Sequence, residues 1–443
     1  MKRLAPPKLL IPAVALLAVA AVCTACAGLL EGENSFETLH PILEYERPQE
    51  EQIEIASYEQ LLTELMALIM RHEESGRMYA YNYSGDIAFD IQRACWKLMR
   101  DDAVVVYAVE DISGVASRIV SYYEIDITVV YKHTKQQIDS IVNASTLRYL
   151  KAELLSIISE NSEEAVIRTS RDITEDDIIE LVKETYYENP RMVVMMPVTV
   201  LETFTTSGAD KIFELRFGYI EQAGILRQHG ANLSVYVRRN AEQAVGETDA
   251  EILLSLANNL IAACIYDEGT ARAISVHGAQ NFAATAYGAL VNGSAVGEGF
   301  AMAFKALCDE LGFECHVVLG YLNGMVHAWN IVPLYGENYH IDVAMCALNG
   351  IETAFLKNDA DFLRSYSWNT EKTVSCKGTL TYEDIVGPEE EDVNPDDAEG
   401  GIVGESDGEA GEASEASEET GDEAPVTSDG SDDQTDEELR GRG

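Results

Sequence analysis

Two stretches of the chain carry nearly the same succession of apolar and polar positions. Leu61, Leu62, Leu65, Leu68 and Ile69 recur at helical spacing, and so do Leu150, Leu154, Ile157 and Ile158. Each stripe is followed by a second helical segment, Ile87 to Met99 or Ile178 to Tyr187. Apolar runs of strand character come next, at Val104 to Val109 and at Met192 to Val198. Strict alternation closes each stretch, as Tyr123-Glu124-Ile125-Asp126-Ile127 and as Phe213-Glu214-Leu215-Arg216-Phe217. Glu64-Leu65 matches Glu153-Leu154, and Val104-Val105 matches Val193-Val194, a period near 90 residues. The pattern predicts two tandem α+β modules, 56–143 and 144–240, related by duplication. Each reads helix, helix, strand, strand, with room for a further strand between the helices. Chance similarity of two helix–strand segments is the plainer alternative.

The pattern changes at Glu247. Asp249 is placed to cap a helix carrying Ile252, Leu253, Leu256, Leu260 and Ile261. After a loop of small residues, Phe300, Phe304, Leu307 and Leu311 fall on one face of a helix from about Glu298, which Gly312 stops. Three strands are then expected, Cys315 to Tyr321, Val326 to Leu334 and Tyr339 to Met345, with turns at Gly324 and Gly336-Glu337. The overall expectation is an α+β protein with a third domain at 247–382, helices packed on an antiparallel sheet.

Both ends differ from this body. Lys2 and Arg3 precede an apolar run from Leu9 to Val22, interrupted by Pro12. That run is too short for a spanning helix, which takes about 20 residues, but suits a secretion signal. Thr24-Ala25-Cys26 then resembles a bacterial lipoprotein processing site, with Cys26 as the lipidated residue and Cys23 where Leu is usual. The expectation is a signal peptide at 1–25 and a lipid-anchored tether at 26–55. The protein would then sit outside the cytoplasm on the outer face of the bacterial cell membrane. An ordinary signal peptide cut nearby, releasing a secreted protein, is the alternative. From Gly387 to Gly443 there are 22 acidic and 2 basic residues and no aromatics. Such a segment buries too little to offset ordering entropy, so 387–443 reads as a disordered acidic tail.

With 31 Lys and Arg against 76 Asp and Glu, the net charge is −45. Phosphate backbones repel such a chain, which excludes a general nucleic-acid binder, and anionic lipid repels it too, so membrane association requires the lipid on Cys26. Six further cysteines, at 95, 264, 308, 315, 346 and 376, form no C-x-x-C pair and read as buried thiols rather than zinc or redox sites.

The segment Thr285 to Asp342 resembles the bacterial transglutaminase-like family, relatives of papain-type thiol enzymes. The likeness is carried by Tyr287-Gly288-Ala289-Leu290-Val291-Asn292-Gly293, Val296-Gly297-Glu298-Gly299-Phe300-Ala301, Ala303 to Gly312, His327-Ala328-Trp329-Asn330 and Tyr339-His340-Ile341-Asp342-Val343. It extends over roughly Thr248 to Tyr382. The resemblance implies acyl transfer by a Cys–His–Asp set, in which the thiol attacks an amide, the His takes its proton and the Asp orients the His. His327 and Asp342 match the last two roles. The nucleophile's position holds Gly297, which has no side chain to donate an electron pair.

No other thiol is well placed. Cys308 lies 11 residues along the same helix, about 16 Å at roughly 1.5 Å per residue, and Cys315 opens a strand. Ser294 precedes the helix with no evident aim at His327. The sequence therefore reads as a pseudoenzyme, a peptide or cell-envelope binding or scaffolding module with no cofactor and no metal. The alternative is an active hydrolase or acyltransferase with a non-standard nucleophile. His327 and Asp342 read as a vestigial pair that satisfies two polar groups on adjacent strands. Trp329 and Tyr339 read first as sheet packing, and Tyr287 and Trp329 are the candidates for lining a peptide groove. His316 and His340 read as exposed strand histidines, since their spacing matches no chelating motif.

Overall fold

The computed structural model describes residues 53–387, and the fold is α+β. The expected signal peptide, Cys26 and the acidic tail beyond Gly387 lie outside the described residues, as does most of the tether. Among the described residues, no helix is long and apolar enough to cross a membrane.

The first module runs β1 (Ile53–Ile55), helix Tyr58–Arg71, β2 (Ser75–Tyr81), helices Ile87–Asp101 and Ala103–Ala108, β3 (Val109–Ile119) and β4 (Tyr122–Tyr131). The second runs β5 (Ile141–Asn143), helix Leu147–Ser159, β6 (Glu164–Thr169), helix Glu175–Glu188, β7 (Val198–Thr205) and β8 (Lys211–Gly218). Their sheets share one topology, β1-β2-β4-β3 and β5-β6-β8-β7. In each, the short first strand pairs parallel with the second and the rest is antiparallel.

Three expectations change here. The end of the tether belongs to the first module: Ile53–Ile55 pairs with Met78–Ala80, and Ile55 is buried. The run Ala103–Ala108 is a helix and not a strand. Asp102 caps it by accepting from the amides of Val104 and Val105, at 2.9 and 3.1 Å. An apolar run buried nearly all round has no periodicity to separate helix from strand. In the second module Val193 to Met196 is buried but irregular, and the strand begins only at Val198.

The first module has its own core, including Leu61, Leu65, Ile91 and Ile127, with Val166 and Ile212 of the second module joining it. The second module's core is continuous with that of the C-terminal domain, since Leu154, Phe213, Leu253, Phe300 and Trp329 belong to one cluster. Helix Ala223–Ala241 bridges them, burying Leu226, Leu233 and Val237 and packing on helix Gly297–Leu311.

In the C-terminal domain, helix Asp249–Ala263 is capped by Thr248 through a capping box with Glu251; Asp249 is its first helical residue. Helix Gly297–Leu311 is the central element, with every residue from Gly297 to Cys308 buried. Fully burying Phe300, Phe304 and Leu307 contributes roughly 1.5–3 kcal/mol each. The expected fourth member of that stripe, Leu311, is 40% exposed. The helix packs on an antiparallel sheet of order β13-β12-β11-β14: β11 (His316–Leu322), β12 (Met325–Leu334), β13 (Glu337–Ile341) and β14 (Tyr366–Trp368). The third expected strand stops at Ile341, because Asp342 caps a new helix, Val343–Asn349, by accepting from the Met345 amide at 3.0 Å. A small parallel pair, β9 (Ile265–Tyr266) and β10 (Ser294–Ala295), leads into the central helix.

Candidate functional site

Gly297 opens the central helix. Val296 before it is extended, and the Val296 amide is held by the Ala283 carbonyl at 2.8 Å. No side chain caps this terminus. Glu298, one residue on, is buried. It accepts from the Tyr187 hydroxyl at 2.7 Å and from the Gly278 amide at 3.0 and 3.2 Å. Burial, with the Glu298 carboxylate adding to it, pushes the Tyr187 phenol far up from its ordinary value.

His327 sits on β12 opposite Gly320 of β11 and is 5% exposed. Its Nε2 lies 2.6 Å from Asp342 Oδ2. The Tyr366 hydroxyl donates to that same oxygen at 2.8 Å, and burial beside this carboxylate drives the Tyr366 phenol far up. Since the carboxylate only accepts, Nε2 carries the hydrogen, and in the neutral ring Nδ1 keeps its lone pair. The structure thus brings together His327, Asp342 and Gly297. Asp342 reaches the site from a helix N-cap and not from an adjacent strand, which lets one oxygen hold the cap while the other holds the imidazole.

The approach of His327 to Gly297 is unusually close. A Cβ on residue 297 would fall 2.4 Å from both Cε1 and Nδ1 of His327, and 3.3 Å from Nε2. The imidazole therefore lies in the space a side chain at this position would need. What remains beside it is a cavity of about 20 Å³, lined by Tyr266, Ile274, His277, Gly297, Glu298 and His327 among others. A single water needs ≳10–15 Å³ of such space. His277 donates its Nε2–H to the Gly320 carbonyl, 3.0 Å away. Its Nδ1 has no hydrogen-bond partner and stands 3.8 Å from Glu298 Oε2.

Two candidates leave the site. Trp329 is fully buried, and its indole N–H donates to His340 Nδ1 at 2.9 Å. Tyr287 is buried against the bridging helix, its ring stacked on His229 with centroids 4.4 Å apart. Neither lines the cavity beside Gly297, so both are packing residues. His340 is also corrected: it is completely buried, while His316 is exposed beside Glu314. His340 Nε2 meets Asp359 Oδ1 at 2.9 Å, and Asp359 Oδ2 accepts from Ser375 Oγ and the Cys376 amide. Burial lowers the His340 pKa, opposed by Asp359.

His340, Asp359 and Cys376 hold their ligand atoms within 4.8 Å of one another, a metal-like grouping. The donor set does not fit an ion. Indole nitrogen only donates, so His340 Nδ1 must be the acceptor and Nε2 must carry the hydrogen that Asp359 receives. No imidazole lone pair is left over, and burial pushes the Cys376 thiol up to about 12. All six cysteines of the described residues are buried and free.

Tyr187, His277, Glu298 and Tyr366 were not foreseen as neighbours of this site. Glu298 alone had a signal, its place beside Gly297; the others come from a distant helix, a loop and an edge strand.

No known family model matches the sequence, and no curated protein matches it. Solved structures to which the chain is similar include a TGase, at 12% identity and a TM-score of 0.23 over 49% of this chain and 60% of the other. Another is a candidate cysteine protease of Cytophaga hutchinsonii, at 14% identity and a TM-score of 0.21 over 40% of this chain and 75% of the other. The chain thus spans less than two thirds of the first of these two proteins.

Proposed function

We propose that this protein is an extracytoplasmic lipoprotein, anchored through Cys26, whose C-terminal domain is a degenerate transglutaminase-like fold without catalytic activity. It acts as a binding or scaffolding module for a peptide or another cell-envelope component. The supporting observation is the position of the His327 ring, 2.4 Å from where a Cβ on Gly297 would be. On this reading the nucleophile has been lost and its partner has closed into the gap. The His327–Asp342–Tyr366 bonds then serve to fasten β12, β14 and the helix after Asp342 to one another. A cavity of about 20 Å³ leaves no peptide groove at this point, so partner capture uses other surface.

A second reading rests on the same pair. With Nδ1 facing a water-sized space, His327 could draw a proton from water and hydrolyse an amide. The experiment that separates the two is an amide hydrolysis and transamidation assay on the purified protein, run beside a His327→Ala variant. Equal background in both supports the non-catalytic reading, and activity that vanishes with His327 supports hydrolysis. Anchoring is tested separately, by metabolic labelling with a lipid precursor in the native and Cys26→Ala chains.

A further inference from the structure

A second cavity, of about 280 Å³, opens between the end of helix Leu147–Ser159, the segment after Asn189 and the bridging helix Ala223–Ala241. Its walls combine two chemistries. Val194, Leu226 and the small pair Gly230-Ala231 give an apolar floor. A Cβ on Gly230 would rest in ordinary contact with Val194 Cγ2, at 3.4 Å. Arg191 and Arg227 supply two guanidiniums, in a chain whose net charge is −45. Arg191 is partly engaged, by Glu310 and by the Asp309 carbonyl. Arg227 donates Nη1 to the Glu160 carbonyl at 3.2 Å and pairs with no carboxylate among the described residues.

Asn161 completes the lining. It is 4% exposed and held in the left-handed region at φ 55. Its Nδ2 donates to the Ser159 carbonyl at 3.2 Å, which fixes the amide orientation. Oδ1 is shielded from water and has no hydrogen-bond partner. A buried acceptor left unpaired is destabilising, so an occupant whose entry uncovers Oδ1 and supplies a donor relieves a standing penalty. An occupant matched to these walls needs an anion for the guanidiniums, a neighbouring N–H for Oδ1 and a small apolar group for the floor.

We infer that this pocket binds a carboxylate with an adjacent amide N–H, the chemistry of the last residue of a peptide or of an N-acylated amino acid. The site is separate from Gly297, and its occupancy does not depend on whether His327 is catalytic.

The test is titration of the full-length protein with N-acetyl-L-alanine, followed by ligand-observed NMR, with the methyl ester as the uncharged control. Saturable binding of the acid and not of the ester is expected. Arg227→Gln, which keeps a donor for the Glu160 carbonyl, weakens it about tenfold or more. Asn161→Gly, which suits the left-handed backbone and removes Oδ1, weakens it as well; an unchanged urea midpoint in either variant shows that the fold is intact. A peptide ending in alanine then identifies the source: binding as tight as the short probe points to chain ends, and weaker binding to a free acylated amino acid. No saturable binding, equal binding of the ester, or binding indifferent to Arg227→Gln would overturn the inference.

Discussion

The His327 imidazole occupies the space that a side chain on residue 297 would fill, and Asp342 holds it there through a 2.6 Å bond to Nε2. This relationship ties the backbone at residue 297 to the His327–Asp342 pair. The glycine is part of how the local packing closes, and the ring is not free to swing back without breaking a buried bond.

Placing a thiol at residue 297 should therefore meet resistance. In Gly297→Cys the new Cβ must displace the ring, an overpacking change that costs about 1–3 kcal/mol. Urea denaturation reads that loss. The pH dependence of alkylation should place the new thiol near the reference value of about 8.5. A variant as stable as the parent with a strongly depressed thiol would mean that the inherited geometry is still available.

Asp342 fastens three donors at once: His327 Nε2, the Tyr366 hydroxyl and the Met345 amide. Asp342→Ala leaves all three without this acceptor and should cost at least about 3 kcal/mol, at about 1–3 kcal/mol for each buried donor left unpaired. Tyr366→Phe removes one charged-acceptor bond and should cost about 1.5–3 kcal/mol. Unfolding midpoints that put Tyr366→Phe below Asp342→Ala in stability would contradict this division of work.

Stability should fall as the solution is acidified through the histidine range. Burial depresses the folded-state pKa of His340 below its unfolded value of 6.5, so the unfolded chain binds the extra proton first. The contribution is present above the unfolded value and is lost as pH drops below it. Denaturation at pH 7.5 and 5.5 should show a smaller difference in His340→Gln than in the parent. An identical slope in both would remove His340 from the explanation.

The thiols should behave as packing groups. Burial pushes Cys95 up to about 11 and Cys264 up to about 12, with Cys308 and Cys346 also raised. Brief iodoacetamide treatment at neutral pH should leave Cys95, Cys264, Cys308 and Cys346 unmodified in the native protein. Under denaturant all four should be labelled, as read by peptide mass. Rapid native labelling of any one of them would identify a substitute nucleophile.

The central helix was the most legible part of the fold, because Phe300, Phe304 and Leu307 keep helical spacing and Gly312 adopts the left-handed stop at φ 83. The meeting of His327 with Gly297 was also expected, but only as what the resemblance to the transglutaminase-like family implied. Less was visible where burial is uniform. Val104 and Val105 look the same in a buried helix as in a strand, and only the cap by Asp102 decides between them. Asp342 was correctly paired with His327 but misplaced on a strand, since one residue of cap geometry separates the two. His277 and Tyr366 are single residues in irregular or edge segments, and no local pattern announces that the chain returns them to the site. His340 was misread for the opposite reason: its ring and the Trp329 indole satisfy each other inside the sheet, so a polar residue lies in a sealed interior, while the sheet packing favoured for Trp329 holds.

The claim that this domain has given up catalysis is tested most directly by turnover. Purified protein is incubated with a peptide amide, with and without a primary amine acceptor, and release of ammonia or of the cleaved product is followed beside His327→Ala. The account predicts the same background rate in both proteins. Product formed by the parent and abolished in His327→Ala would contradict it.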